Sequence, residues 1–405
     1  MAVAGVVVAV TKAVCQKLGG ILGTVMALLL LLPTLSHASV LPANRGDVMH
    51  HSYQGGGVSI DGPAVMLRHN VGQQWSVSGF HYVDTVSGAS IDVVATASAY
   101  SETRRESRLG ADYLIGNSIL SMNYAQSDEN DYNAKSASVG VAHDTFGGLT
   151  TLSMEAGVGN DDVGRNGDSN FAEQVRRYNY KFGVTQIIST RWIAALNAQV
   201  DLEEGFLNNP YRSVRYRDAQ SSRGFNYHAE IYPRTRNTSA IAVINKYHLP
   251  YRAAISLNLR YYQDSWDIQA QDAELEYVHP LDERFTLDAR LRFYQQGAAE
   301  FYRDLFDYAK QFNFMARDKE LSEFRNVTLG LGASYKLPSW SFWPSAKPEL
   351  NLQWDHIRFD YANFRDVTVH RNLGNSPDAP SIGVGAEPLY QLDVNVIRAF
   401  FSVYF

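Results

Sequence analysis

The sequence predicts an all-β chain: a transmembrane antiparallel up-and-down β-barrel of about 16 strands (14–18), of the outer-membrane type. Three observations carry that expectation. Apolar residues recur at every second position in segments of about ten residues. The connections between them alternate between short and long. The N-terminus reads as an export leader.

The leader comes first. Lys12 and Lys17 precede an apolar run from Ile21 to Leu35, which is too short to span a bilayer comfortably as a helix. The run ends in Ser36-His37-Ala38, with small residues at the two positions a signal peptidase reads. Residues 1–38 are therefore expected to be a signal peptide cleaved after Ala38, residues 39–46 a short N-terminal periplasmic segment, and residues 47–405 the barrel. The single cysteine, Cys15, lies in the leader, so the mature chain has no thiol or disulfide chemistry. The count of 36 basic against 42 acidic residues becomes more acidic once Lys12 and Lys17 leave, which argues against a nucleic-acid partner. With 24 Tyr, 19 Phe and 6 Trp, aromatic girdles are easily supplied.

The strands follow. Trp192, Ala194, Leu196, Ala198, Val200 and Leu202 are apolar, and Asn197, Gln199 and Asp201 stand between them. Alternate side chains of a strand face opposite sides, so this is one apolar and one polar face. Ala253 to Tyr261 repeats the pattern, and Phe285 to Phe293 sharpens it, with Arg284, Thr286, Asp288, Arg290 and Arg292 on the polar side. Such segments exceed the usual five or six residues of soluble strands. Short connections are expected at 70–72, 116–117, 146–148, 189–190, 249–251 and 279–281. Long or polar ones are expected at 85–99, 126–133, 160–173, 204–233, 297–320 and 362–389. An even strand number requires one more strand at the start, and Asp47 to Tyr53 before Gly55-Gly56-Gly57 is the candidate. The last strand carries Ile397, Ala399, Phe401, Val403 and Phe405 on one face. Phe401, Val403 and Phe405 resemble the signal read by the barrel assembly machinery, an expected partner during biogenesis.

The polar face is where function would reside. Segments 252–264, 268–279 and 283–296 are consecutive and should pair. Their polar sides carry Arg252 and Arg260, then Asp272, Glu274 and Glu276, then Arg284, Asp288, Arg290 and Arg292. An acidic row thus stands between basic rows. Such a wall either selects solutes by charge or merely ties the strands together, and the interleaved signs favour the second. Loop 204–233 and its flank supply Arg212, Arg215 and Arg234, which either constrict the mouth or pack over the rim. Phe301, Leu305, Ala309 and Phe312 fall at helical spacing and predict a short amphipathic helix. The acidic loops 127–131 and 160–162 lack calcium-loop spacing. His50 and His51 are adjacent, so they face opposite sides of a strand. No motif of a hydrolase, phosphate loop or zinc protease appears, so no cofactor and no enzymatic activity are expected.

Five strings resemble a known family: Val83–Ser90, Gly205–Tyr216, Tyr232–Arg236, Phe301–Phe306 and Phe314–Ser322. The chain is similar through them to domain-of-unknown-function family 3570, over about residues 45–405. Ile91-Asp92-Val93 departs from the pattern after Ser90. The resemblance implies an outer-membrane barrel and brings no catalytic or binding residues. The expected role is a porin-like channel for small polar solutes in the outer membrane of a Gram-negative cell, in contact with lipid and lipopolysaccharide. The alternative is a plugged structural or interaction barrel serving a periplasmic or extracellular partner protein or an exported polymer. An outer-membrane hydrolase stands far behind.

Overall fold

A computed structural model describes residues 39–88, 100–369 and 382–405. The expected leader, the Ile91-Asp92-Val93 departure and parts of the connections at 85–99 and 362–389 lie outside the described residues. The strands are β1 (Arg45–Gly55), β2 (Val58–Val71), β3 (Trp75–Gly88), β4 (Tyr100–Ile115), β5 (Ser118–Asp128), β6 (Tyr132–Thr145), β7 (Thr150–Val163), β8 (Glu173–Ser189), β9 (Trp192–Gly205), β10 (Ser213–Arg217), β11 (Phe225–Ala229), β12 (Thr235–His248), β13 (Ala254–Asp264), β14 (Gln269–Pro280), β15 (Phe285–Gln296), β16 (Phe324–Lys336), β17 (Lys347–Arg365) and β18 (Leu389–Tyr404). Sixteen of them form one closed antiparallel barrel, and β10 and β11 form a separate hairpin. β9 pairs with β12 past that hairpin. β1 closes on β18, with Arg45 opposite Tyr404 and Gly55 opposite Val394. The extra first strand expected at Asp47–Tyr53 is β1. Closure leaves no bare edge, the condition for strands in hydrocarbon.

The alternation sorts into two faces. Leu257, Leu259, Leu275 and Leu291 point outward and stay exposed, as does Phe293 at 54%. Asn258, Arg260, Asp272, Glu274, Arg290 and Arg292 occupy the other parity and point into the lumen. A soluble sandwich would bury the apolar parity; here it is the outside. Leu291 lies midway along β15, so Leu291→Arg is expected to cost about 2–4 kcal/mol. Gln199→Arg, on the lumen side of β9, is expected to be nearly neutral. Urea unfolding in lipid vesicles checks the pair, and equal losses would contradict the assignment of faces.

The two ends differ. The turn end holds Ser39, Phe405 and the connections 72–74, 116–117, 146–149, 190–191, 249–253, 281–284 and 337–346. The loop end holds 164–172, 206–234, 297–323, 366–369 and 382–388, together with three tight turns, Gly56-Gly57, 129–131 and 265–268. Two expectations are corrected here. The polar connection expected over 126–133 narrows to a three-residue turn, because β5 and β6 pair out to Asp128 and Asn133. The helix at 301–312 does not form among the described residues. Its backbone groups are drawn to distant partners: Phe306 N–H donates to Arg215 O at 2.9 Å, and Ala316 N–H to Phe301 O at 3.1 Å. Lys310 adopts a left-handed φ of 54°, which ends helical continuation. One 3-10 turn, Lys319–Leu321, is the helical remnant of that connection.

At the turn end, Ser39 Oγ donates to Asn117 O at 2.9 Å and to Asp144 at 2.7 Å. Asn44 accepts from the backbone of Asn70 and of Phe405. Residues 39–44 thus run along the rim before β1 begins.

Candidate functional site

The lumen wall is built by register. Arg260 lies opposite Asp272, Glu274 opposite Arg292, and Glu276 opposite Arg290. Arg260 and Arg292 share Asp272 at 3.1 and 3.0 Å. Arg290 reaches Glu274 at 3.9 Å and pairs more closely with Asp355, which also holds Arg398 at 3.1 Å. The acidic row does stand between cations. Arg252 and Arg284 differ from the rest: the strands begin at Ala254 and Phe285, so both lie in turns at the barrel end. Arg252 has a left-handed φ of 70°, which breaks the strand parity on which its inward position was inferred. Among the described residues, Glu276 and Asp288 face the lumen with no cation within 4 Å.

Several pairs reach over an intervening strand, and glycine makes the room. A Cβ on Gly330 would lie 2.5 Å from Asp355 Oδ1 and 3.1 Å from Arg290 Nε. Its absence lets β15 and β17 join charges across β16. The same device joins β1 to β3. His51, buried at 8% exposure, passes Gly62 of β2 and places Nε2 2.7 Å from Asp84 and 3.1 Å from the Tyr82 hydroxyl. His50 and His51 face opposite sides as expected, but the His51–Asp84 pair was missed. Gly62 in an otherwise continuous strand was the available signal.

The adjoining wall, from β12 round to β5, is small and mostly uncharged. Ser121, Gly140, Ala142, Asn197, Ala240 and Ala242 border a cavity of about 470 Å³, with the Lys181–Glu155 pair at 2.9 Å beside it. Bulky ion pairs on one side and short side chains on the other leave the free space off-centre.

The loop end carries a cap. The β10–β11 hairpin, connection 297–323 and residues 382–388 meet in its centre. Arg215 is wholly buried and donates to Glu387 at 2.5 Å and to Asp304 at 2.6 Å. Arg317 takes the other side of Asp304 at 2.9 Å and donates to Arg365 O at 2.9 Å. Beneath lies an aromatic core of Tyr232, Trp266, Tyr302, Tyr361 and Phe364, against which lumen-facing Phe324, Phe359 and Tyr390 pack. The cap is therefore seated in the mouth and not merely above it. Arg212 pairs with Asp318 and, at 3.4 Å, with Glu320; Arg234 pairs with Glu173 at 2.8 Å. All three loop arginines tie segments together. Burial alone would raise the Glu320 carboxyl, but Arg212 and Lys319 hold it below the usual range.

Between cap and wall lies a second cavity of about 680 Å³, bordered by Tyr132, Tyr211, Tyr232, Trp266 and Glu320. Carboxylate oxygens of Glu102, Glu129 and Asp131 come within 4.8 Å of one another there, the geometry of a group able to meet a metal ion. Tyr211 donates to Asp131, and burial with this bond pushes its hydroxyl up to about 12. The second acidic loop is used otherwise, since Asp161 pairs with Arg177 and Asp162 accepts from Gln174 at 3.0 Å.

At the turn end, Phe401, Val403 and Phe405 follow the outward parity. The Trp340 ring lies 6.2 Å from Phe401 and the Trp343 ring 5.1 Å from Phe405.

Residues 169–345 match the model of the family described as "Protein of unknown function (DUF3570)". The DUF3570 match contains four of the five resembling strings, from Gly205–Tyr216 to Phe314–Ser322, and thus the hairpin and central connection of the cap. Val83–Ser90 lies outside it, so the match is narrower than the expected residues 45–405. No curated protein matches the chain. Among solved structures, the siderophore receptor PirA from Pseudomonas aeruginosa is 12% identical with a TM-score of 0.41, over 80% of this chain and 60% of its own. A bacterial polysaccharide outer membrane secretin is 9% identical with a TM-score of 0.44, over 90% and 99%. OccK2 (OpdF) from Pseudomonas aeruginosa is 9% identical with a TM-score of 0.40, over 91% and 99%. The chain spans about 60% of the length of the PirA receptor. These likenesses concern barrel architecture alone.

Proposed function

We propose that this chain is a non-enzymatic outer-membrane channel that passes small polar solutes through an off-centre lumen narrowed by its cap. The outward apolar parity would contact lipid and, on the outer leaflet, lipopolysaccharide. The turn end would face the periplasm, where removal of residues 1–38 as a signal peptide would leave the chain beginning near Ser39. The barrel assembly machinery would read the strand ending at Phe405. The observation that carries the reading is the cavity bordered by Ser121, Gly140, Ala142, Asn197, Ala240 and Ala242: short side chains face one another where a sealed barrel would place large ones.

Planar-bilayer recording of the purified protein tests this. Steady conductance is expected, and Ala240→Trp with Ser153→Trp, Ser153 also bordering the cavity, should lower it by filling that space while the heat-modifiable folded band persists. A folded barrel that stays silent overturns the channel in favour of the second reading, a plugged barrel whose loops meet a partner. The specific observation behind that alternative is the buried Arg215–Asp304–Glu387 cluster fixing the cap in the mouth.

A further inference from the structure

The charges of the lumen do not cancel. We propose that the passage favours cations, inorganic or amine-bearing, over anions, an inference that rests on the channel reading above. Arg236, Arg260, Arg290, Arg292, Arg398 and Lys181 each lie within 4 Å of a carboxylate. Asp272 serves two of these arginines, and Arg177 conversely stands between Asp161 and Glu203, so the two clusters offset one another. What remains is acidic on balance: Lys246, on the lumen parity of β12 opposite Ser256, is a cation without an ion pair among the described residues, and the free carboxylates outnumber it. Among the described residues, Asp201, Glu276 and Asp288 have no cation within 4 Å. Asp201 receives only neutral donors, Gln199 at 2.8 Å and Thr238 at 3.2 Å, and its Oδ1 has no partner. Glu276 faces Arg290 in register, yet that guanidinium turns to Glu274 and Asp355. Asp288 occupies the space that a side chain on Gly332 would take. Glu102 at the mouth accepts from the backbone of Asn130 at 3.3 Å, a neutral donor.

Fixed carboxylates in a water-filled passage with low-dielectric walls gather cations and repel anions. The Debye length is about 8 Å at physiological ionic strength, so these fields reach well into the opening. Arginines already neutralised by partners cannot supply the opposite preference.

The test is the reversal potential of the purified protein in planar bilayers under a potassium chloride gradient. A cation-selective sign is expected. The triple variant Asp201→Asn, Glu276→Gln, Asp288→Asn should shift that potential toward zero while conductance persists. Should the triple variant not fold by heat modifiability, Glu276→Gln alone is expected to give a smaller shift in the same direction. Conductance without cation preference, or an unchanged potential in a folded variant, overturns this inference and leaves the channel standing. A folded, silent wild type overturns both.

Discussion

Arg215→Ala is expected to release the cap and leave the barrel closed. The guanidinium is wholly buried between Glu387, itself wholly buried, and Asp304, and it also lies over the Phe225 ring at 5.2 Å. Removing one partner of a buried ion pair leaves charge in a place that water reaches poorly, a loss of about 3–5 kcal/mol. That loss falls on contacts among β10, connection 297–323 and residues 382–388, none of which belongs to the barrel ladder. Trypsin should cut within 206–234 or 297–323, the folded band should still shift on heating, and conductance should rise. Arg215→Lys should not rescue the cap, because an ammonium lacks the planar fork that engages two carboxylates. Arg234→Ala is the contrast: its pair with Glu173 is solvent-facing, and exposed pairs contribute about 0–1 kcal/mol. Trypsin resistance of Arg215→Ala equal to the wild type would mean that the cap is held elsewhere.

Gly62→Val is expected to damage the barrel itself. A Cβ at Gly62 would overlap the backbone oxygen of Val83. The ladder shows why the chains come so near: β2 and β3 pair at Asp61 with Thr85 and again at Ala64 with Tyr82, and the positions between do not pair. Pro63 has no N–H to donate there. A backbone oxygen cannot swing aside like a side-chain tip, so overpacking should cost about 3 kcal/mol. The same substitution blocks the path from His51 to Asp84. Gly79→Ala should be nearly silent, since its Cβ would meet Leu109 Cδ2 at an ordinary 3.9 Å. Urea midpoints measured in vesicles compare the two, and equal stability for both would refute the close approach.

Which parts were legible follows from the range of the forces. Alternation is local, so Trp192–Leu202 and Phe285–Phe293 declared their faces, and counting connections required β1 before it was seen. Neighbouring strands inherit their pairing from the turn between them, so Arg260 with Asp272 could be anticipated from sequence order. Pairs that cross a strand could not. Arg290 meets Asp355 only because Gly330 is small, and nothing near either residue reports it. The cap lies further still from local reading: Arg215 and Glu387 are 172 residues apart. Phe301 and Phe312 kept their helical spacing, yet β10 captured the backbone between them. Arg252 was misplaced by one turn conformation, and Arg284 by strand β15 starting at Phe285, two residues later than expected.

The seam between β1 and β18 constrains how this molecule comes into being. The residues that zip it together are the first and the last of the barrel to leave the ribosome, so no growing chain can complete the cylinder. Every intermediate shows naked amide edges on both flanks, open to stray pairing with its siblings. Closure must therefore wait until β18 has been made, and losing β18 alone would leave a curled ribbon with two adhesive margins.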